Sequence, residues 1–141
     1  MKRFFAAAAV LAAMTACCGG SQTTLESTTW KLAKMEGIPA EAIASEADAF
    51  TLMFDAADTL VSGRTNCNRF FGKYECDGRK LDFGNLGMTR MACPDMQYED
   101  CFVRMLDEVD RYEINGSELK LYDDGKLLAE FCAVAAPAKA E

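Results

Sequence analysis

Apolar and polar residues alternate along most of this chain, which predicts a protein built chiefly from short antiparallel strands. Leu52 and Phe54 face one way and Thr51 faces the other, as on a half-buried strand. Asp-Gly and Asn-Gly pairs separate several such segments, and glycine supplies the positive φ that tight hairpin turns require. Strands are expected at residues 29–35, 50–55, 59–64, 70–76, 80–83, 112–114, 119–122 and 126–131.

One segment has the period of a helix instead. Between residues 95 and 110 the apolar side chains recur every three or four positions and form one stripe. Pro94 and the acidic residues after it suit a helix start, where the helix dipole favours negative charge. The stripe consists of Tyr98, Phe102, Met105, Leu106 and Val109. Residues 41–49 predict either a short helical turn or a mobile loop.

Together these patterns predict an α+β fold. We expect a strongly curved, barrel-like antiparallel sheet of about seven or eight strands, with the amphipathic helix packed across its open side. Gly84, Asn85 and Gly87 are expected to loosen the chain after the 80–83 strand. The alanine-rich residues 133–141 are expected to be a disordered tail.

The N-terminus predicts export and lipidation. Lys2 and Arg3 precede an apolar run from Phe4 to Ala13, too short to span a bilayer, as in a secretory signal. Residues 14–17, Met-Thr-Ala-Cys, resemble the lipobox at which bacterial lipoproteins are cleaved and acylated. We expect a signal peptide at 1–16, a lipidated Cys17, a flexible tether at 17–28 and a domain at 29–132.

Two alternatives remain at this terminus. Cys18 is a rival acceptor, and the run can also be a plain secretory signal beside an incidental cysteine pair. No aspartate follows Cys17, so the expected location is the outer membrane, facing the periplasm. Surface exposure is the other arrangement.

Charge and composition narrow the range of functions. The chain has 15 basic and 22 acidic residues, and loss of Lys2 and Arg3 with the signal peptide would leave a net charge of −9. That balance argues against nucleic-acid binding. Histidine is absent, which excludes Ser-His-Asp and Cys-His catalysis. We therefore expect a monomer that is no enzyme and holds no cofactor or metal, with the membrane and an envelope protein as partners.

Two blocks place a cysteine among turn-forming and polar residues. The first is Ser-Gly-Arg-Thr-Asn-Cys-Asn-Arg-Phe-Phe-Gly-Lys-Tyr at 62–74, and the second is Met-Thr-Arg-Met-Ala-Cys-Pro at 88–94. Together they resemble the signature of the META domain, the heat-shock HslJ-like family of bacterial envelope proteins. The resemblance extends from about Thr29 to Phe131. It implies a small barrel-like α+β fold, and at the level of fold it extends to pilot lipoproteins that escort secretin subunits.

The resemblance also implies a disulfide between Cys67 and Cys93, since these residues match the two family motifs. Six cysteines besides Cys17 allow 15 connectivities, and two buried free thiols are the alternative. Cys76 is expected to be a core residue, and a Cys101–Cys132 bridge stays open. Asn66 stands where the family usually has glycine, and asparagine tolerates left-handed backbone.

Four polar residues are candidates for a shared cluster if that bridge joins their loops: Asn68, Arg69, Thr89 and Arg90. Two arginines can receive a carboxylate or a phosphate. The structural alternative is that Asn68 bonds its own turn while both arginines pair with nearby acids.

Three functions follow as hypotheses. The first is a non-enzymatic, lipid-anchored envelope protein that binds a partner or supports stress tolerance, because the family is associated with heat shock and novobiocin resistance. The second is a pilot-like escort of an outer-membrane protein, and the third is a carrier of a small molecule or lipid in a cavity under the helix. Four aromatic residues are expected to line that cavity: Phe54, Tyr74, Phe83 and Phe102.

Overall fold

In the part of the chain that the structure describes, eight antiparallel strands follow one another in chain order around a closed ring, accompanied by two helices. The computed structural model describes residues 23–26 and 28–134. Its elements are β1 (Thr29–Met35), α1 (Ala40–Ala44), β2 (Thr51–Asp55), β3 (Leu60–Arg64), β4 (Arg69–Asp77), β5 (Lys80–Met88), α2 (Met96–Glu108), β6 (Arg111–Asn115), β7 (Glu118–Asp123) and β8 (Lys126–Val134). β8 pairs with β1 and closes the ring.

The ring is uneven, and α2 packs on the sheet. β5 and β6 share one residue pair, Lys80 with Arg111, whereas β4 and β5 pair along most of their length. α2 contacts β5 and buries Phe102 and Leu106 completely. The Phe102 ring lies 5.5–6.1 Å from the rings of three other core phenylalanines. The expected α+β architecture, a curved antiparallel sheet with one packed helix, is confirmed.

The predicted loosening after residue 83 is wrong. β5 continues to Met88, and Gly87 pairs with Phe71 of β4. A Cβ on Gly87 would lie 2.9 Å from the ring of Phe71. Glycine therefore serves close packing between strands here, not a turn.

The tail prediction also begins too early. Ala133 and Val134 belong to β8, where they pair with Trp30 and Thr29 of β1. Closing the ring supplies the backbone hydrogen bonds that a disordered tail would have left to water. The rest of the predicted tail, residues 135–141, lies outside the described residues.

The expected flexible tether is shorter than residues 17–28. Leu25 is buried, and its carbonyl oxygen accepts a hydrogen bond from Trp30 Nε1 at 3.0 Å. Thr23 donates to the Gly116 carbonyl from both its backbone nitrogen and its hydroxyl group. Residues 23–26 thus pack on the ring. The predicted signal peptide and Cys17 lie outside the described residues, and none of the described helices is long and apolar enough to cross a membrane.

Residues 41–49 combine a short helix with an anchored loop. α1 ends at Ala44, and the following loop is held by Lys31, whose Nζ donates to the carbonyl oxygens of Glu46 and Ala49. Arg64 adds ion pairs to Glu46 at 2.8 Å and to Asp48 at 2.7 Å. Burial lowers the pKa of Lys31, and the neighbouring acids oppose that shift. Side chains from two strands, β1 and β3, therefore hold this loop in place.

Candidate functional site

The two cysteine blocks meet in space through a disulfide. Cys67 and Cys93 are bonded, with their Cα atoms 5.9 Å apart, as the family resemblance implied. We call residues 65–69 and 89–93 the bridged loops. In the first loop, Thr65 Oγ1 accepts hydrogen bonds from the backbone nitrogens of Cys67 and Asn68, both at 3.0 Å. This local pattern, in which a threonine hydroxyl caps its own turn, fixes the loop before β4 begins.

A buried acid from α2 completes that turn. Glu99 is 5% exposed, and its Oε1 accepts from Thr65 Oγ1 at 2.6 Å and from the Asn68 backbone nitrogen at 3.1 Å. Its Oε2 accepts from Asn68 Nδ2 at 3.2 Å. Both oxygens act as acceptors, as in an ionised carboxylate, and no basic side chain pairs with Glu99 among the described residues. Hydrogen bonds alone compensate its burial.

Asn68 also joins the first bridged loop to the second. Its Oδ1 accepts from the Met91 backbone nitrogen at 2.7 Å, and its Nδ2 donates to the Met91 carbonyl at 3.1 Å. The Thr89 hydroxyl group donates to the same Oδ1 and accepts from the Arg69 backbone nitrogen. The side-chain atoms of Asn68 are therefore engaged with the protein itself, and those of Thr89 likewise.

The two arginines of the predicted cluster do not join it. Arg69 contributes its backbone, and the guanidinium groups of Arg69 and Arg90 form no ion pair within residues 23–26 and 28–134. The alternative in which they pair with nearby acids is thus wrong for the described residues. Both side chains are exposed, and Arg90 lines an open cavity of about 710 Å³ beside the bridged loops.

Asn66 has a different role from the one expected at the family's glycine position. Its φ is not positive, so the tolerance of asparagine for left-handed backbone is not used. Instead its Nδ2 donates to the carbonyl of Asp95 at 3.0 Å. Asp95 precedes α2 with φ 62° and no side-chain capping bond. Asn66 thus supports a strained helix start, while its buried Oδ1 has no partner among the described atoms.

The expectations for Cys76 and for a Cys101–Cys132 bridge are both wrong. Cys76 is an exposed free thiol, not a core residue, and its Sγ lies 3.7 Å from the hydroxyl oxygen of Tyr112. A Cys101–Cys132 bridge is wrong, because Cys101 is free while Cys132 is disulfide-bonded elsewhere. The register from Tyr74 to Cys76 is regular, so the two residues share a face, but Cys76 lies one residue before the end of β4 and is exposed there.

The four aromatic residues expected to line a cavity are packed core side chains. Phe54 stacks edge-on against Tyr74 at 5.1 Å between ring centroids and lies 5.9 Å from Phe83. Phe102 packs among the other core rings described above. Burial, together with a hydrogen bond to Glu26, raises the pKa of Tyr74 to about 12. The four therefore fill space inside the ring.

A surface feature missed from the sequence lies on the outer face of β2, β3, β4 and β5. Three large apolar side chains there are exposed: Met53 by 51%, Leu60 by 41% and Phe71 by 59%. They line an open concavity of about 650 Å³. We call this surface, formed by Met53, Leu60, Ser62, Phe71 and Gly87, the outer groove. The sequence does contain a signal for this groove, because Met53 and Phe71 are apolar residues at positions that strand alternation turns outward.

The outer groove is built across the sheet in one row. Met53 pairs with Ser62, Ser62 with Phe71, and Phe71 with Gly87. Because Gly87 has no side chain, the Phe71 ring lies directly over it. The exposed Phe71 ring thus packs against the backbone of Gly87.

Comparisons with known proteins agree with this fold. The family model described as the META domain matches residues 23–135. The chain belongs to the META domain family. The motif resemblance noted in the sequence is thereby confirmed.

Solved structures similar to this META chain include an NMR structure of a protein from Burkholderia xenovorans. It is 23% identical, with a TM-score of 0.64, over 96% of this chain and 100% of that one. A crystal structure of a DUF4847 family protein from Bacteroides vulgatus ATCC 8482 is 20% identical, with a TM-score of 0.59, over 80% and 96% of the two chains. At such identities the likeness shows the fold alone. No curated protein matches the chain significantly.

Proposed function

We propose that this META protein is a lipid-anchored, non-enzymatic envelope protein that binds an extended segment of another envelope protein in its outer groove. The observation that carries the proposal is the ring of Phe71, 59% exposed yet packed over Gly87. Aromatic residues, phenylalanine among them, are enriched in the buried centres of protein interfaces.

The chemistry of the groove favours a protein partner over a lipid surface. The groove is concave, and its rim carries both signs of charge, Asp55 and Lys73, together with the amide of Asn85. Polar groups of both kinds suit the backbone and alternate side chains of an extended peptide. The net negative charge of the chain disfavours contact with anionic lipid.

The bridged loops support the non-enzymatic part of the proposal. Thr65, Asn68 and Glu99 are the buried polar residues there, and Asn68 and Glu99 use their hydrogen-bonding atoms on each other, on Thr65 and on Met91. A general acid or base must reach the proton that it transfers. Groups that are bonded in this way serve to hold the loops.

The proposed anchor would keep the domain close to the membrane. Thr23, which already contacts the ring, is six residues after Cys17. An extended chain spans at most about 3.6 Å per residue, so six residues reach roughly 20 Å. A fatty-acid analogue fed to cells should label the wild-type protein and a Cys18→Ala variant, and should not label Cys17→Ala. Equal labelling of both variants contradicts lipidation at Cys17.

The binding surface is tested by comparing two exposed apolar positions. Phe71→Ser removes the centre of the outer groove, and Leu127→Ser is the matched control, since Leu127 is 42% exposed on a different part of the ring. Purified variants are used to capture proteins from detergent-solubilised envelopes, with quantitative mass spectrometry as the readout. We expect an envelope protein recovered by wild type and by Leu127→Ser and lost with Phe71→Ser. Equal recovery by both variants would refute the proposal.

A further inference from the structure

Three methionine residues line one open cavity beside the bridged loops. Met88 ends β5, Met91 follows in the second bridged loop, and Met96 begins α2. The cavity, of about 710 Å³, is separate from the outer groove apart from Gly87, which contributes to both. Three methionine residues from three different elements therefore border a common space, and Met88 also packs against the core.

The position of Met91 is fixed although its side chain is exposed. Asn68 bonds both the nitrogen and the carbonyl oxygen of its backbone, and the neighbouring Cys93 is tied to Cys67. Its side chain is nevertheless 57% exposed. A backbone held by hydrogen bonds and the disulfide thus carries a flexible, polarisable side chain that is exposed to solvent.

The donor set selects a particular class of ligand. Thioether sulfur is a soft ligand that favours Cu(I), and it binds without losing a proton. Histidine is absent from the chain, and no group of three or more Cys, Asp or Glu among residues 23–26 and 28–134 is placed to hold a metal ion. The described residues therefore lack the usual ligand sets for zinc, calcium or Cu(II).

Charge around the cavity favours a cation by a small margin. Glu99 and Asp100 both line it, and Arg90 lines it with the opposite sign. The Glu99 oxygens are already bonded to Thr65 and Asn68, so that acid contributes through its field. We propose that this cavity binds the soft monovalent cation Cu(I), with the sulfurs of Met88, Met91 and Met96 as ligands. The proposal does not depend on lipidation or on a protein partner.

The test uses Ag(I), a redox-inert substitute for Cu(I), on the full mature chain. The free thiols Cys76 and Cys101 would compete for silver, so both are replaced in a Cys76→Ser, Cys101→Ser background. Carbon-13-labelled methionine methyl groups are followed by NMR during titration. We expect saturation at one equivalent, with shifts at the three cavity methionines only. The affinity should be the same at about pH 5 and pH 7, because thioethers do not titrate in that range.

A matched pair of variants separates ligation from general silver binding. Met91→Leu and Met53→Leu both change an exposed methionine to a residue of similar volume, 57% and 51% exposed respectively. Loss of even an outer-shell partner costs a metal site roughly tenfold in affinity, so Met91→Leu should weaken Ag(I) binding by at least that factor. Met53→Leu should not change it. Three results would overturn the proposal: methyl signals of the cavity methionines that do not shift, an affinity for Ag(I) that falls steeply at low pH, or equal affinity of the two variants. The methyl spectrum also shows whether each variant is folded.

Discussion

Replacing Glu99 should destabilise the fold more than any other exchange of an acid on α2. Its carboxyl group accepts three hydrogen bonds, from the Thr65 hydroxyl and from the backbone and side-chain nitrogens of Asn68. A hydrogen bond to a charged group contributes about 1.5–3 kcal/mol. The sum over three hydrogen bonds would overestimate the loss of stability, because some of the donors keep another acceptor when Glu99 is replaced. Thr65 Oγ1 lies 3.2 Å from the Asn68 carbonyl, and Asn68 Nδ2 still reaches Met91.

We therefore expect Glu99→Ala to lower the free energy of unfolding by about 2–4 kcal/mol, the range of a broken buried network. Glu99→Gln should cost about 1–2 kcal/mol, because either orientation of the amide turns one of its donors towards a donor of Asn68. Glu108→Ala, at an exposed position of the same helix, is the control and should stay within about 0.5 kcal/mol.

Urea unfolding with the disulfide intact measures these values. Trp30, the only tryptophan, is completely buried and reports unfolding by its fluorescence. A loss below about 1 kcal/mol for Glu99→Ala, or a Gln variant as stable as wild type, would refute the view that this carboxyl group holds the bridged loops to α2.

Three further predictions follow from single features of the fold. Replacing both Cys67 and Cys93 by Ala should lower the free energy of unfolding in urea by about 3–4 kcal/mol, which is the loop-entropy value for a separation of 26 residues. An unchanged urea midpoint would contradict this prediction. Because burial raises the pKa of Tyr74 to about 12, the neutral form is favoured in the folded state, so stability is complete below about pH 10 and falls as pH rises towards 12. Tyr74→Phe should make that loss shallower, and an identical pH profile would count against this assignment. Gly63→Ala should lower the free energy of unfolding by about 1–3 kcal/mol, because its Cβ would collide with the Thr51 carbonyl oxygen and lie 2.6 Å from the Phe70 ring. In Gly84→Ala the new Cβ meets one atom, at 3.3 Å, so this variant should lose less stability in the same assay.

Strand alternation and hairpin dipeptides predicted the sheet because each of them is a local signal. Asn115-Gly116 and Asp124-Gly125 turn between strands as expected, and both glycines have positive φ. Glycine within β5 misled the prediction, because the same residue also serves where a neighbouring side chain needs its space. Nothing local distinguishes Gly87 under the Phe71 ring from a glycine in a loop.

The candidate site shows the same division between local and long-range signals. The pairing of Cys67 with Cys93 came from a family pattern, and Asn68 and Thr89 do share a hydrogen bond. Glu99 does not belong to the apolar helix stripe, yet it is buried by partners 31 and 34 residues earlier in the chain. A contact over that distance depends on where α2 crosses the ring, which the helix period alone does not determine.

The outer groove could have been found by asking which outward strand positions are apolar. Met53 alternates with Leu52 and Phe54, and Phe71 with Phe70, so the alternation places each on the surface side of its strand. Exposed apolar residues scattered singly need no explanation. Their grouping in one concavity depends on the register of β2, β3 and β4, which appears only in the folded sheet.

The most direct test of the proposed binding role is site-specific photo-crosslinking in living cells. A photoreactive phenylalanine analogue is placed at Ser62, in the middle of the outer groove, or at Leu127, the control position outside it. We predict a discrete adduct with one envelope protein from position 62 and none from position 127. No adduct from position 62, or the same adduct from both positions, would contradict the outer groove as the binding surface.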